Sequence, residues 1–218
     1  MKPKHANPQF AREEIQSLDG EWTFEILNDP LLHGVPDRPL NGTIQVPFCP
    51  ESRLSGVGYT DFIRHCAYRR AFRLESGRLT GRVLLRFGAC DYQATVYVNG
   101  VGVGEHRGGY ASFALDVTAA VRAGDNDLLV LVNDDVTADC PSGKQSFKRE
   151  SFGCFYSRIT GIWQSVWLEF VPENYIKQIR FYPDPAHASV RVHADCEGTG
   201  MFKIRVLYEG RPVGEAQG

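Results

Sequence analysis

Apolar and polar residues alternate with a period of two along most of the chain after Trp22. Val83, Leu85 and Phe87 interleave with Leu84 and Arg86, and Ala94, Val96 and Val98 with Thr95 and Tyr97. Val166, Leu168 and Phe170 repeat the spacing. Successive strand side chains point to opposite faces, so this pattern predicts strands with one face buried. Residues 128–132 are apolar on both faces and predict a central strand. A period of 3.6 is scarce. The best helix candidate is the stretch 117–122, one or two turns long and closed by Gly124.

Turn chemistry agrees with strands. Asn99-Gly100 directly follows one, and Asn-Gly suits a two-residue type I′ hairpin because both central residues need positive φ. Gly108-Gly109 and Gly124-Asp125-Asn126 punctuate the next strands. Many short strands at this spacing predict an all-β sandwich or barrel. Pro172 ends the strand at 166–170, placing a boundary between a first domain, 1–172, and a second region, 173–218. The second region offers about four strands, at 176–181, 189–194, 202–208 and from 211. An immunoglobulin-like sandwich takes about seven strands and about 100 residues, so the region predicts an incomplete one. Its open edges would favour pairing with another copy, a homo-oligomer.

Composition narrows the class. The 218 residues are 43% hydrophobic and 23% charged, with a formal net charge of -2, values ordinary for a globular protein with a core. Both signs are dispersed, which argues against nucleic acid as a partner. The longest aliphatic run, 128–132, is far short of a membrane span. Residues 1–20 contain no stretch resembling a signal peptide, so the expected location is cytoplasmic. Cys49, Cys66, Cys90, Cys140, Cys154 and Cys196 form no CxxC pair and no zinc pattern with histidine. They read as free thiols, mostly buried. His187 and His193 share strand parity but lack a third ligand, so no metal and no cofactor is expected.

One set of motifs is more specific than these classes. Leu18-Asp19-Gly20-Glu21-Trp22, Val46-Pro47-Phe48 and Tyr68-Arg69-Arg70 come first. Val98-Asn99-Gly100, Gly104, His106, Gly109-Tyr110, Phe113 and Asp116-Val117-Thr118 follow. Gly161-Ile162-Trp163 and Val166-Trp167-Leu168 close the series. In this order and spacing, residues 18 to 170 resemble the amino-terminal region of family 2 glycoside hydrolases, the β-galactosidase, β-glucuronidase and β-mannosidase group. The resemblance implies a jelly-roll, galactose-binding-like sandwich, then an immunoglobulin-like domain, then a TIM barrel with two catalytic glutamates. A barrel needs 200 or more residues, and a retaining glycosidase needs two carboxyls about 5–5.5 Å apart. The chain supplies neither, so no catalytic residue is assigned and the chain alone is expected to be inactive.

The resemblance also implies that the loop before Gly161 reaches the barrel mouth and sets an acidic residue against sugar hydroxyls. Phe155 stands where that acid is expected. Glu150 is the nearest carboxylate, and Tyr156 or Arg158 could meet ligand instead, so these three are the candidate substrate-binding residues. Against this stands a loop that serves only as a domain interface. Trp22, Trp163 and Trp167 read as packing rather than sugar platforms, the 100–104 glycine run is not a dinucleotide fingerprint, and Ser55 reads as a turn rather than a nucleophile elbow. Three functions are compatible with these residues. The first is the non-catalytic part of a hydrolase of O-glycosidic bonds, its carbohydrate substrate held mainly by the barrel. The second is an autonomous carbohydrate-binding module, and the third a purely structural pairing domain.

Overall fold

A computed structural model describes residues 6–28, 38–135 and 140–218. It divides into two compact units, Met1–Phe170 and Val171–Gly218. The first contains β1 (Ile15–Ser17), β2 (Gly20–Leu27), β3 (Gly42–Val46), β4 (His65–Leu74), β5 (Arg82–Phe87) and β6 (Cys90–Asp91). It continues with β7 (Gln93–Val98), β8 (Val101–Arg107), β9 (Phe113–Asp116), β10 (Gly124–Asn133), β11 (Gly161–Ile162) and β12 (Val166–Val171). One sheet runs β3-β2-β4-β10-β7-β8, a second β1-β12-β5-β9, and β11 pairs with β6.

The alternation explains the sandwich. Trp22 and Phe24 of β2, Tyr68 of β4, Val96 of β7 and Leu128, Val130 and Val132 of β10 share one buried cluster. Val83, Leu85 and Phe87 of β5 and Val166 and Leu168 of β12 belong to it as well. Each such side chain contributes about 1.5–3 kcal/mol by leaving water. Strand β10 is central, between β4 and β7. Its other face is apolar for a reason: Leu129 and Leu131 pack with Leu40 and Ala67 in a second cluster, joined by Leu27 and Tyr97.

The sequence motifs turn out to tie distant strands together. The Trp22 indole donates to Leu18 O at 2.7 Å, and the Asp19 carboxylate accepts from Val166 N at 2.9 Å, so the Asp-Gly-Glu-Trp segment is clipped to β12. At the β7–β8 turn Asn99 and Gly100 have φ of 52° and 79°, the left-handed pair a type I′ turn requires. Gly161 has φ 69°, and a Cβ there would lie 2.3 Å from the Tyr68 hydroxyl. That hydroxyl accepts from Ile162 N at 3.3 Å, so only glycine lets β11 approach β4 this closely.

Two expectations are corrected. Residues 117–122 form no helix. The segment is a hydrogen-bonded turn in which Ala120 N and Val121 N both donate to Val117 O. Asp116 caps Thr118 N at 3.0 Å, and Asn126 takes Arg122 N at 2.9 Å, which ends the turn before a second can form. The cysteines are not mostly buried: Cys66 and Cys90 are buried, Cys49 and Cys140 half-buried, and Cys154 and Cys196 exposed. Cys154 lies in the irregular segment before β11, and Cys196 on a strand of a two-stranded hairpin, where no second sheet covers it.

The second unit consists of two antiparallel hairpins, β13 (Tyr175–Asp184) with β14 (Ser189–Glu197), and β15 (Lys203–Tyr208) with β16 (Arg211–Gln217). An apolar cleft of about 680 Å³ lies along them, lined by residues including Val190, Val192, Ile204, Val206 and Val213. His187 and His193 are paired with their own aspartates, Asp184 at 2.8 Å and Asp195 at 3.0 Å. Among the described residues no group of three His, Cys, Asp or Glu is placed to hold a metal ion. No described helix is long and apolar enough to cross a membrane.

Candidate functional site

Between β10 and β11 the chain leaves the sheets, and residues 140–160 form an irregular loop. A loop without a ladder must satisfy its buried backbone groups by local backbone bonds and by side chains. Ser146 N donates to Tyr156 O at 2.8 Å and Tyr156 N to Lys144 O at 3.0 Å. The Ser146 hydroxyl donates to Glu150 O at 2.7 Å and accepts from Lys148 N at 3.1 Å. Two long side chains do the rest. Gln145, 4% exposed, donates to Asp91 Oδ2 at 2.6 Å and to the Tyr110 hydroxyl at 3.1 Å. It also accepts from Ile159 N at 2.8 Å. Arg158, 3% exposed, donates to Ser146 O at 3.3 Å and to the carbonyls of Lys148 and Thr60.

Arg158 also lies over the Phe62 ring, 4.3 Å from its centroid. Arg149 and Asp61 form an ion pair at 2.7 Å. The loop is thereby joined to the segment around Tyr59 and Phe62. Its tip is an aromatic knot: Phe152 and Phe155 stack at 5.1 Å, Phe147 meets both edge-on, and the Lys148 ammonium sits 4.3 Å above Phe152. Phe147, Tyr156, Tyr59 and Phe62 remain 36–52% exposed.

The three candidate residues are placed differently. Glu150 is exposed and Tyr156 is half-exposed, both on the outer side of the loop. The Arg158 guanidinium is turned inward and committed to backbone carbonyls. Phe155 is partly buried in the aromatic knot. Sequence reasoning missed Gln145, Asp91 and Phe62, whose importance lies in the Gln145–Asp91 bond and the Arg158–Phe62 contact, partners 54 and 96 positions apart that no local motif marks.

Behind the loop are three carboxyls. Asp91 and Asp134 are 2% and 6% exposed, and Glu51 is partly buried, accepting from Thr160 N at 3.2 Å. Burial pushes all three up, Asp134 to about 8 with the charge of Asp91 adding to the effect. These groups hold the loop from inside. The outer face offers aromatic surfaces, a phenol and one carboxylate, which suit the C–H faces and hydroxyls of a sugar.

Residues 59–172, more than half of the chain, match the family described as "Glycosyl hydrolases family 2, sugar binding domain". The chain belongs to glycosyl hydrolase family 2. Among relatives within reach of family 2, a β-galactosidase of Thermoanaerobacter pseudethanolicus is 31% identical over 123 residues, 56% of this chain and 16% of its own length. The β-glucuronidase of Canis lupus familiaris is 26% identical across 94% of this chain and 37% of its own. The family 2 chain described here thus spans well under half the length of these relatives. In fold it is similar to a β-glucuronidase from Ruminococcus gnavus in complex with D-glucaro-d-lactam. That similarity has a TM-score of 0.73 at 22% identity, over 96% of this chain and 39% of that one. The β-glucuronidase of Bifidobacterium dentium, complexed with coumarin-3-O-glucuronide, is similar with a TM-score of 0.73 over 95% of this chain and 40% of that one. The all-β fold expected from the sequence is therefore shared with the matched part of these two β-glucuronidases. The matched stretch includes Tyr59, Phe62 and the whole 140–160 loop.

Proposed function

We propose that this chain is the non-catalytic part of a family 2 glycoside hydrolase that cleaves O-glycosidic bonds of β-galactoside or β-glucuronide type in cytoplasmic carbohydrate breakdown. Its first unit supports the catalytic barrel, and the 140–160 loop edges the substrate pocket. One observation carries this reading: the loop is pinned from behind by Gln145 and Arg158, yet presents Tyr156, Glu150 and Phe147 outward. A loop that served the sandwich alone would gain nothing from holding aromatic rings in water. Tyr156 and Glu150 are the proposed contacts with sugar, and Arg158 positions them.

The test has two parts. The chain alone is expected to release no nitrophenol from nitrophenyl β-galactoside or β-glucuronide; turnover in preparations free of host enzyme would overturn the non-catalytic reading. In a protein joining this chain to a family 2 barrel, Tyr156→Ala and Glu150→Gln are expected to raise KM about three- to thirtyfold with kcat within about twofold. Unchanged KM in both variants would remove the loop from the pocket. Saturable calorimetric binding of a simple sugar by the chain alone would favour the autonomous binding module instead.

A further inference from the structure

Both ends of the 140–160 loop are fastened to carboxyls grouped around Asp134. Near the start, Gln145 donates to Asp91. At the end, Thr160, 1% exposed, donates its backbone N–H to Glu51 and bonds Asp134 through its side chain. Asp134 Oδ2 and Glu51 Oε1 are buried without a hydrogen-bond partner. An ionised carboxylate left in that state is costly, and a neutral carboxyl far less so.

The surroundings supply little compensating positive charge. From β4 come Cys66 and His65, the latter bonded to Asn133 at 2.7 Å; from β6 comes Cys90 beside Asp91. Cys49 and Tyr68 approach from the Glu51 side. Asp135 follows Asp134 on the strand exit and faces Arg64 at 3.6 Å. Arg64 and Arg107 line a polar cleft of about 420 Å³ together with Asp134, and both are exposed to solvent. Asp91 and Glu51 therefore both act on Asp134, with the cations at the rim.

We propose that Asp91, Asp134 and Glu51 form a proton latch that holds the 140–160 loop on the sandwich while Asp134 carries a proton and loosens it when that proton leaves. The sandwich geometry carries this inference independently of any hydrolase reading. Lifting Gln145 and Thr160 admits water to Asp134, whose carboxyl returns to ordinary acidity near 3.8. Asp134 then gives the closed loop about one more proton than the open loop between those limits. Closure is strongest in acid, weakens by about tenfold per pH unit as pH rises toward 8, and is level above it.

Amide hydrogen exchange on the whole chain tests this, read at Ser146, Tyr156, Ile159 and Thr160 and corrected for intrinsic rates. Protection at these four amides is expected to fall about a hundredfold between pH 6 and 8 and then flatten, while β4 and β10 amides stay unchanged. Asp134→Asn should abolish the slope. Protection without pH dependence, or a slope that survives in Asp134→Asn, overturns the latch. If that variant does not fold, carboxyl ¹³C titration of the wild-type chain decides. A midpoint near 8 for Asp134 supports the latch, and a carboxylate already ionised at pH 6 overturns it.

Discussion

Asn99 and Asn126 face each other where the β7–β8 hairpin meets the start of β10, and each uses nearly all of its hydrogen-bonding capacity. Asn126, 3% exposed, accepts from Asn99 Nδ2 at 2.8 Å and Arg122 N at 2.9 Å, and donates to Arg122 O and Gly124 O at 2.8 and 3.0 Å. Asn99 also donates to Ala120 O and accepts from Asp127 N. Removing Asn126 strands several buried backbone groups, whereas Asn99→Gly keeps the left-handed turn and loses only hydrogen bonds. Asn126→Ala is expected to cost about 3 kcal/mol and Asn99→Gly about 1–2 kcal/mol. Urea midpoints with unchanged m-values measure both; equal costs would refute the pairing argument. The turn role of Asn99-Gly100 was legible because it depends on two adjacent residues. The role of Asn126 was not, because its partner stands 27 positions away and Gly124-Asp125-Asn126 reads alone as ordinary turn punctuation.

At the scale of elements the same contrast recurs. Strands were legible because burial on one face leaves a period of two, and β10 was legible as central because both its faces are covered. The loop 140–160 has no period, so its order depends on single long-range contacts. Sequence reasoning set Arg158 beside Glu150 and Tyr156 as one group of sugar contacts, since an arginine in a loop near a glycosidase pocket suits either role. Only its three carbonyl acceptors and the Phe62 ring separate it from the other two. A planar guanidinium can serve those partners together and an ammonium cannot. Arg158→Ala and Arg158→Lys are therefore expected to loosen the loop alike, by about 2 kcal/mol or roughly thirtyfold in tryptic cleavage after Lys148 and Arg149. Full rescue by lysine would show that charge alone suffices.

The whole molecule joins two units of unequal robustness. The first has a sandwich core fed by both sheets. The second is two hairpins with Phe181, Leu207, Tyr208 and Val213 more than half exposed, and a two-stranded hairpin is marginal in water by itself. All three tryptophans, Trp22, Trp163 and Trp167, lie in the first unit. Tryptophan fluorescence thus reports the sandwich alone, while far-ultraviolet circular dichroism reports both. In urea the dichroism is expected to lose part of its β signal before fluorescence changes, giving two transitions instead of one. Coincident curves would mean that the hairpins share the sandwich's cooperativity. A concentration series then addresses the apolar cleft. If a second copy fills it, the early transition moves to higher urea as protein concentration rises, by mass action. An early transition fixed across a hundredfold range excludes pairing and leaves the cleft available to other strands.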